Sequence, residues 1–277
     1  MIPVAFEYKK AVTIDEAIAA LSGGESKLLA GGYSLIPSMK LRLNQPSKLV
    51  DIANIPSLKG IKEENGQIII NAGTTHHDIS NNDIIKNHLP FFIEAAGMIG
   101  DVQVRNRGTI GGSLAHADPA ADWPALVLAT DAVIEVMGSG GTRSIRSTDF
   151  FTGLFSTQLH EDEIITAIRI PIPTEGSKMV YLKYSNPASR FAVVGCAVLR
   201  FPGEKTNIAF TGVADAPFRD IEAEQAVSGK PLETVNIEAA VNAAADKVNI
   251  LSDNFASQEY RKHVAKVFLK RALEAVK

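Results

Sequence analysis

The chain has 277 residues, 45% hydrophobic and 21% charged, with a formal net charge of -3 and one cysteine, Cys196. That length suits one large domain or two ordinary ones around a packed core. So small a net charge offers no field to draw nucleic acid or acidic lipid. A lone cysteine makes no internal disulfide and by itself holds neither zinc nor an iron–sulfur cluster. No apolar run approaches the roughly 20 residues that span a bilayer, and residues 1–7 lack the basic and apolar regions of a signal peptide. A cytoplasmic location is the expectation.

In chain order, Thr13 and Glu16 are spaced as a capping box, and Ile14, Ala17, Ile18 and Leu21 share the face of a helix that Gly23-Gly24 would stop. An apolar run then meets Gly31-Gly32, and Ser34 is placed to cap an amphipathic segment, 35–43, with Pro37 in its first turn. Residues 48–52 read as a strand. Asn65-Gly66 marks a hairpin whose returning strand is 67–72. A polar helical segment starts at Thr75-His76-His77, and a more apolar helix covers 89–98. Residues 101–113 read as an irregular loop carrying Arg105 and Arg107. A helix at 123–129 has Asp122 as its expected cap and Pro124 in its first turn. Residues 131–137 and 142–146 form a hairpin around Gly138-Ser139-Gly140-Gly141, and 163–170 alternates as a strand closed by Pro171 and Pro173. After a linker at 174–177 come strands at 179–184, 191–201 and 207–213, then helices at 221–227, 237–248 and 260–276. Strands grouped before helices predict α+β architecture, with domains at 1–173 and 178–277.

Two stretches carry the chemistry. Residues 28–37, with Ala30-Gly31-Gly32-Tyr33-Ser34-Leu35-Ile36 at their centre, and Arg107-Gly108-Thr109-Ile110-Gly111-Gly112-Ser113 each set adjacent glycines and a serine beside apolar segments. Glycines allow positive φ and let a ligand approach bare backbone, whose amides suit phosphate. Either stretch alone reads better as a plain turn. Together they favour a dinucleotide-type ligand gripped from two sides. The glycine spacing of a nicotinamide fold and the Gly-Lys-Ser/Thr of a nucleoside-triphosphate loop are both missing. Ser34 falls one glycine short of a nucleophile elbow and reads better as a cap or phosphate ligand. His116, Asp118 and Asp122 could be imagined on a metal, but the same residues serve a turn and helix caps. His76 and His77 are adjacent, so at most one points inward. A diphosphate cradle without a triad or metal site suits a protein whose cofactor carries the chemistry.

Residues 30–37 with Lys40-Leu41-Arg42 closely resemble the first FAD motif of the flavoprotein (medium) subunits of molybdenum hydroxylases, the carbon monoxide dehydrogenase and xanthine dehydrogenase type. Residues 105–122 resemble the second motif, and Phe191-Ala192-Val193-Val194 resembles the start of the family's C-terminal domain. The resemblance implies a vanillyl-alcohol-oxidase-like (PCMH-type) FAD domain in two lobes, about 1–56 and 57–173, followed by a small α+β C-terminal domain. It implies a flavin diphosphate on the amides of Gly31 to Ser34 and Thr109 to Ser113. Asp122 would lie on the adenosine side of FAD, Ile165 against the isoalloxazine, Lys183 near the ring, and Lys27 at the entry to the first motif. Tyr33 stands where the family more usually carries a small polar residue, His or Gln. Molybdopterin would sit on a large partner subunit and two [2Fe–2S] clusters on a small one, in a dimer of heterotrimers. This chain would then be an oxidoreductase component that takes electrons onto FAD and passes them to an external acceptor. The alternatives are a stand-alone FAD-dependent oxidoreductase of the same fold, or a binding module that uses the turns for another nucleotide.

Overall fold

The computed structural model describes residues 2–21, 25–203 and 205–277. The first lobe is β1 (Glu7–Lys10), α1 (Ile14–Leu21), β2 (Ser26–Leu29), α2 (Leu35–Lys40) and β3 (Lys48–Asp51), its strands forming a parallel sheet in the order β1-β3-β2. Thr13 caps α1 by accepting from the Glu16 amide. Glu16 returns its carboxylate to the amide of Val12, one residue before the position a capping box would use. The expected stop at Gly23-Gly24 lies outside the described residues.

The second lobe runs through β4 (Ile61–Glu64), β5 (Gln67–Asn71), α3 (His76–Ser80), α4 (Asp83–His88), α5 (Pro90–Met98), α6 (Val102–Arg107), α7 (Ile110–His116), α8 (Trp123–Ala129), β6 (Val133–Gly138), β7 (Gly141–Arg146), α9 (Ser147–Phe150), β8 (Phe151–Gly153), β9 (Ser156–Thr157) and β10 (Ile164–Pro171). Five of these strands pair in the order β4-β5-β10-β6-β7. Asn65 and Gly66 both take positive φ, the requirement of the two-residue hairpin that the Asn-Gly signal predicts. Residues 101–113 are not the irregular loop expected. Asp101 accepts from the Val104 amide at 2.9 Å and starts α6, and Thr109 accepts from the Gly112 amide at 3.1 Å and starts α7. Two side-chain caps outweigh the helix-breaking tendency of Gly111-Gly112. Every residue of α8 is buried, as suits a helix apolar on all faces.

The C-terminal part places β11 (Lys178–Ser185), β12 (Ala192–Arg200), β13 (Thr206–Thr211) and β14 (Phe218–Arg219) in one antiparallel sheet, followed by α10 (Ile221–Val227), α11 (Thr234–Ala243) and α12 (Gln258–Ala275). All six residues of β13 are buried, and so are all of β12 except Arg200. Both faces of this sheet are covered, which explains the near-continuous apolar run of β12. One face packs α12 through Val194, Cys196 and Val198. The other sends Tyr181, Ala197 and Ala209 into the core built around Trp123, Leu126 and Phe92. One hydrophobic core therefore runs from the second lobe into the C-terminal sheet.

Candidate functional site

The two glycine stretches meet. A Cβ added at Gly31 would overlap the Arg107 carbonyl oxygen and lie 2.8 Å from the Gly108 Cα, closer than real side chains come. At Gly112 the same construction faces the Ala30 methyl at 4.0 Å. At Gly31 glycine is required for close approach of backbone to backbone; at Gly112 it makes room for the Thr109 hydroxyl, 2.8 Å from the added Cβ. Positive φ enters only at Gly32, at +84°, where the chain swings from β2 into α2.

Ser34 precedes α2 in a helical conformation, with its hydroxyl making no capping bond, against the expectation that it caps the helix. Among the described residues no protein acceptor takes the amides of Gly31, Gly32, Tyr33, Ser34 or Leu35. Consecutive unpaired N–H groups around a turn form a nest for an anion. Tyr33 and Ser34 lie exposed beside it, and Leu35 and Ile36 are half-buried beneath.

The second stretch is built otherwise, and the amides of residues 110–113 already have protein acceptors. The Ile110 amide donates to the Thr74 carbonyl, Gly111 to Ala72, Gly112 to the Thr109 hydroxyl and Ser113 to the Thr109 carbonyl, all between 2.9 and 3.1 Å. Ile110 is fully buried, and a Cβ at Gly111 would stand 2.5 Å from that of Ala72. These residues form a floor pinned to the end of β5. What they leave for a ligand is the bare backbone of Gly112 and the hydroxyls of Thr109 and Ser113. The Thr109 oxygen already accepts from Gly112, so its own proton is free to be donated.

Beneath the floor sits His76. Its amide donates to the Gly108 carbonyl, and a Cβ at Gly108 would press to 2.6 Å from its ring Nε2. The Trp123 indole donates to Nδ1 at 3.0 Å, which fixes a neutral ring with its proton on Nε2. Burial and the nearby charge of Arg105 bring its pKa down to about 4. Its neighbour His77 is exposed, so the expectation of at most one inward histidine holds.

Asp122 is 5% exposed and does not cap α8. Its carboxylate accepts from the Tyr181 hydroxyl at 2.5 Å and from the Lys183 ammonium at 2.8 Å. The Lys183 side chain is fully buried and also donates to the Met98 carbonyl. Burial pushes the Asp122 carboxyl above its ordinary range, against the opposing pull of Lys183 and the Tyr181 hydroxyl. Asp122 and Lys183, expected on the adenosine side and near the ring, are in direct contact with each other. Ile165, at 5% exposure, belongs to the adjoining core, and Lys27 is exposed on β2. Sequence reasoning missed Tyr181 and His76, whose roles rest on partners far along the chain. It placed Arg107 as a basic residue leading into the second glycine turn and gave it no ligand role.

Asp118 accepts from the Ala120 amide and closes a turn, and the His116 ring lies 5.1 Å from that of Phe155. Clefts of about 360 and 260 Å³ open elsewhere, the first beside Phe218 and Lys247, the second between Asp118 and Arg261.

A model of the FAD binding domain in molybdopterin dehydrogenase matches residues 4–173, and one of the CO dehydrogenase flavoprotein C-terminal domain matches 180–276. The carbon monoxide dehydrogenase medium chain of Hydrogenophaga pseudoflava is 39% identical, over 99% of this chain and 98% of its own. The glyceraldehyde dehydrogenase medium chain of Sulfolobus acidocaldarius is 37% identical, over the whole of both. Among solved structures, the carbon monoxide dehydrogenase of H. pseudoflava superposes with a TM-score of 0.96 at 40% identity, covering 100% of this chain and 98% of that one. Quinoline 2-oxidoreductase from Pseudomonas putida 86 gives 0.93 at 29%, covering 100% and 98%. The chain belongs to the FAD-binding medium-subunit family of the molybdenum hydroxylases, as the resemblance in residues 30–37 and 105–122 implies. It is an oxidoreductase component whose cofactor is FAD.

Proposed function

We propose that the amides of Gly31 to Leu35 receive the diphosphate of FAD, with the Thr109 and Ser113 hydroxyls completing the grip. The fit rests on the free donor set of the first turn and on the close approach of Gly31 to the Arg107–Gly108 peptide, which a side chain would block. Converging N–H and O–H donors suit a doubly charged diphosphate. Ala30, Gly111 and Ile110 shape the floor, Ile36 and Tyr33 flank the turn, and Lys27 lies at its entry. Asp122 and Lys183 serve as one pair, with Ile165, at the flavin end.

Bound FAD supplies the acceptance of electrons from a [2Fe–2S] partner and their release to an external acceptor. The chain's own residues bind and orient the nucleotide and tune it through fixed charges and burial. They need donate no catalytic acid. The relatives are named as medium chains, which supports larger and smaller partner chains; we assign molybdopterin to the large one and iron–sulfur clusters to the small one, and place a dimer of such heterotrimers in the cytoplasm.

The observation that carries this reading is the juxtaposition of residues 30–35 with 107–112. It is tested by purifying the chain alone and with its two partners. The expected result is a yellow protein that binds FAD without molybdenum and without substrate oxidation, and that gains molybdenum and iron only with its partners. A chain with no flavin affinity, oxidised or reduced, overturns the reading. Substrate-driven flavin reduction by the chain alone favours the stand-alone oxidoreductase.

A further inference from the structure

Two arginines of the second motif have different fates. Arg105 spends a terminal nitrogen on the carbonyls of Ile99 and Gly100, at 3.0 and 3.3 Å, closing the end of α5. Arg107 sits at the last turn of α6 and sends only its Nε to a protein acceptor, the Gly31 carbonyl at 3.4 Å. Among the described residues its two terminal nitrogens bond to no protein group, and no carboxylate pairs with it. It is exposed and stands against the first glycine turn.

This contact anchors the guanidinium fork beside the first glycine turn, with two terminal groups left over. Arginine presents its donors in a rigid plane matched to phosphate oxygens.

We propose that Arg107 is a phosphate-binding residue of this site, its terminal N–H groups closing on the FAD diphosphate while Nε keeps the Gly31 peptide in place. This rests on the assignment of FAD to the paired turns. Backbone amides alone grip an anion without a formal charge, and the chain's slight negative charge supplies none from a distance. Arg107 provides that charge at the nest. The Gly108 peptide beside it is held by His76, so the arginine's backbone is fixed from below.

The test compares the full-length flavin-free chain with Arg107→Met and Arg107→Lys, titrated with FAD, ADP and riboflavin and followed by flavin fluorescence or calorimetry. Arg107→Met is expected to weaken FAD and ADP by about tenfold or more, the scale of one charge-assisted hydrogen-bond pair. Riboflavin, which has no phosphate, should bind both proteins alike. Arg107→Lys should recover part of the loss, and the ADP affinity of the wild type should fall more steeply with salt than that of Arg107→Met. Because Arg107 is exposed, the flavin-free melting temperature should be nearly the same in all three proteins. A wild type that binds FAD and a Met variant that binds it equally well overturn the role of Arg107 and leave the FAD assignment standing. An equal loss for riboflavin and FAD reduces Arg107 to a structural prop and also overturns it. A wild type that binds no FAD removes both.

Discussion

Gly31 leaves no room for a side chain, because the Arg107–Gly108 peptide fills the space on one side and the ligand face must stay open on the other. Gly31→Ala is expected to force the two turns apart. It should cost about 1–3 kcal/mol of stability, as overpacking does, and reduce FAD affinity by more than it reduces that of a ligand lacking the diphosphate. Equilibrium unfolding and flavin titration measure the two effects separately. At Asp122 the loss expected is one of stability, already present in the flavin-free protein. Asp122→Asn leaves a fully buried ammonium without its carboxylate, a change that costs about 3–5 kcal/mol. Tyr181→Phe removes one hydrogen bond and leaves the ion pair, so about 1–2 kcal/mol is expected. Urea unfolding of the flavin-free proteins at neutral pH ranks the two. Equal stability of Asp122→Asn and wild type would contradict a buried strut.

At the scale of elements, α8, α3 and the junction after α6 form a stack: Trp123 holds His76, His76 holds Gly108, and Gly108 lies against Gly31 of the first turn. The His76 ring must be neutral to accept the indole proton. A histidine titrates near 6.5 when unfolded and this one near 4 when folded. The unfolded chain therefore binds the extra proton between those values. Stability from this group is complete above about 6.5 and declines as pH falls toward 4, by about 2 kcal/mol between pH 7.5 and pH 5. Urea midpoints at the two pH values in wild type and His76→Phe measure it. The variant should be weaker at pH 7.5, with Trp123 unpaired, but should lose less on acidification. These elements also show what the sequence made legible. Residues 30–36 and 109–113 are recognisable as partners because glycine and serine carry their chemistry locally. That the amides of 110–113 are already taken was not legible, since their acceptors are Ala72 and Thr74, on a different element. The loop reading of 101–113 failed because glycine pairs resemble turns even where Asp101 and Thr109 supply caps. The strand and helix order of the C-terminal part was legible from periodicity. The inward turn of Asp122 was not, because its partners lie on β11.

Across the whole molecule, the C-terminal sheet is joined to the second lobe by groups from both sides. The Thr211 hydroxyl meets the carbonyls of Pro119 and Ala121, both at 2.6 Å, and the Ala192 amide donates to Ala120 at 3.0 Å. Asn207 reaches the Ala129 carbonyl, and Arg219 bridges Asp131 and Glu224. With Tyr181, Ala197 and Ala209 in the second lobe's core, these contacts predict that heat unfolds the chain in one transition. Calorimetry with two resolved peaks would contradict that coupling. Thr211→Val should lower the single midpoint and leave flavin affinity nearly unchanged, since the seam is distinct from the paired turns. The account as a whole stands on where the nucleotide's phosphates sit, and a crystal structure of the FAD-loaded chain tests this most directly. It should show diphosphate oxygens within hydrogen-bonding distance of the amides of Gly31 to Leu35 and of the Thr109 or Ser113 hydroxyl. A diphosphate bound elsewhere, with those amides facing only solvent, would contradict it.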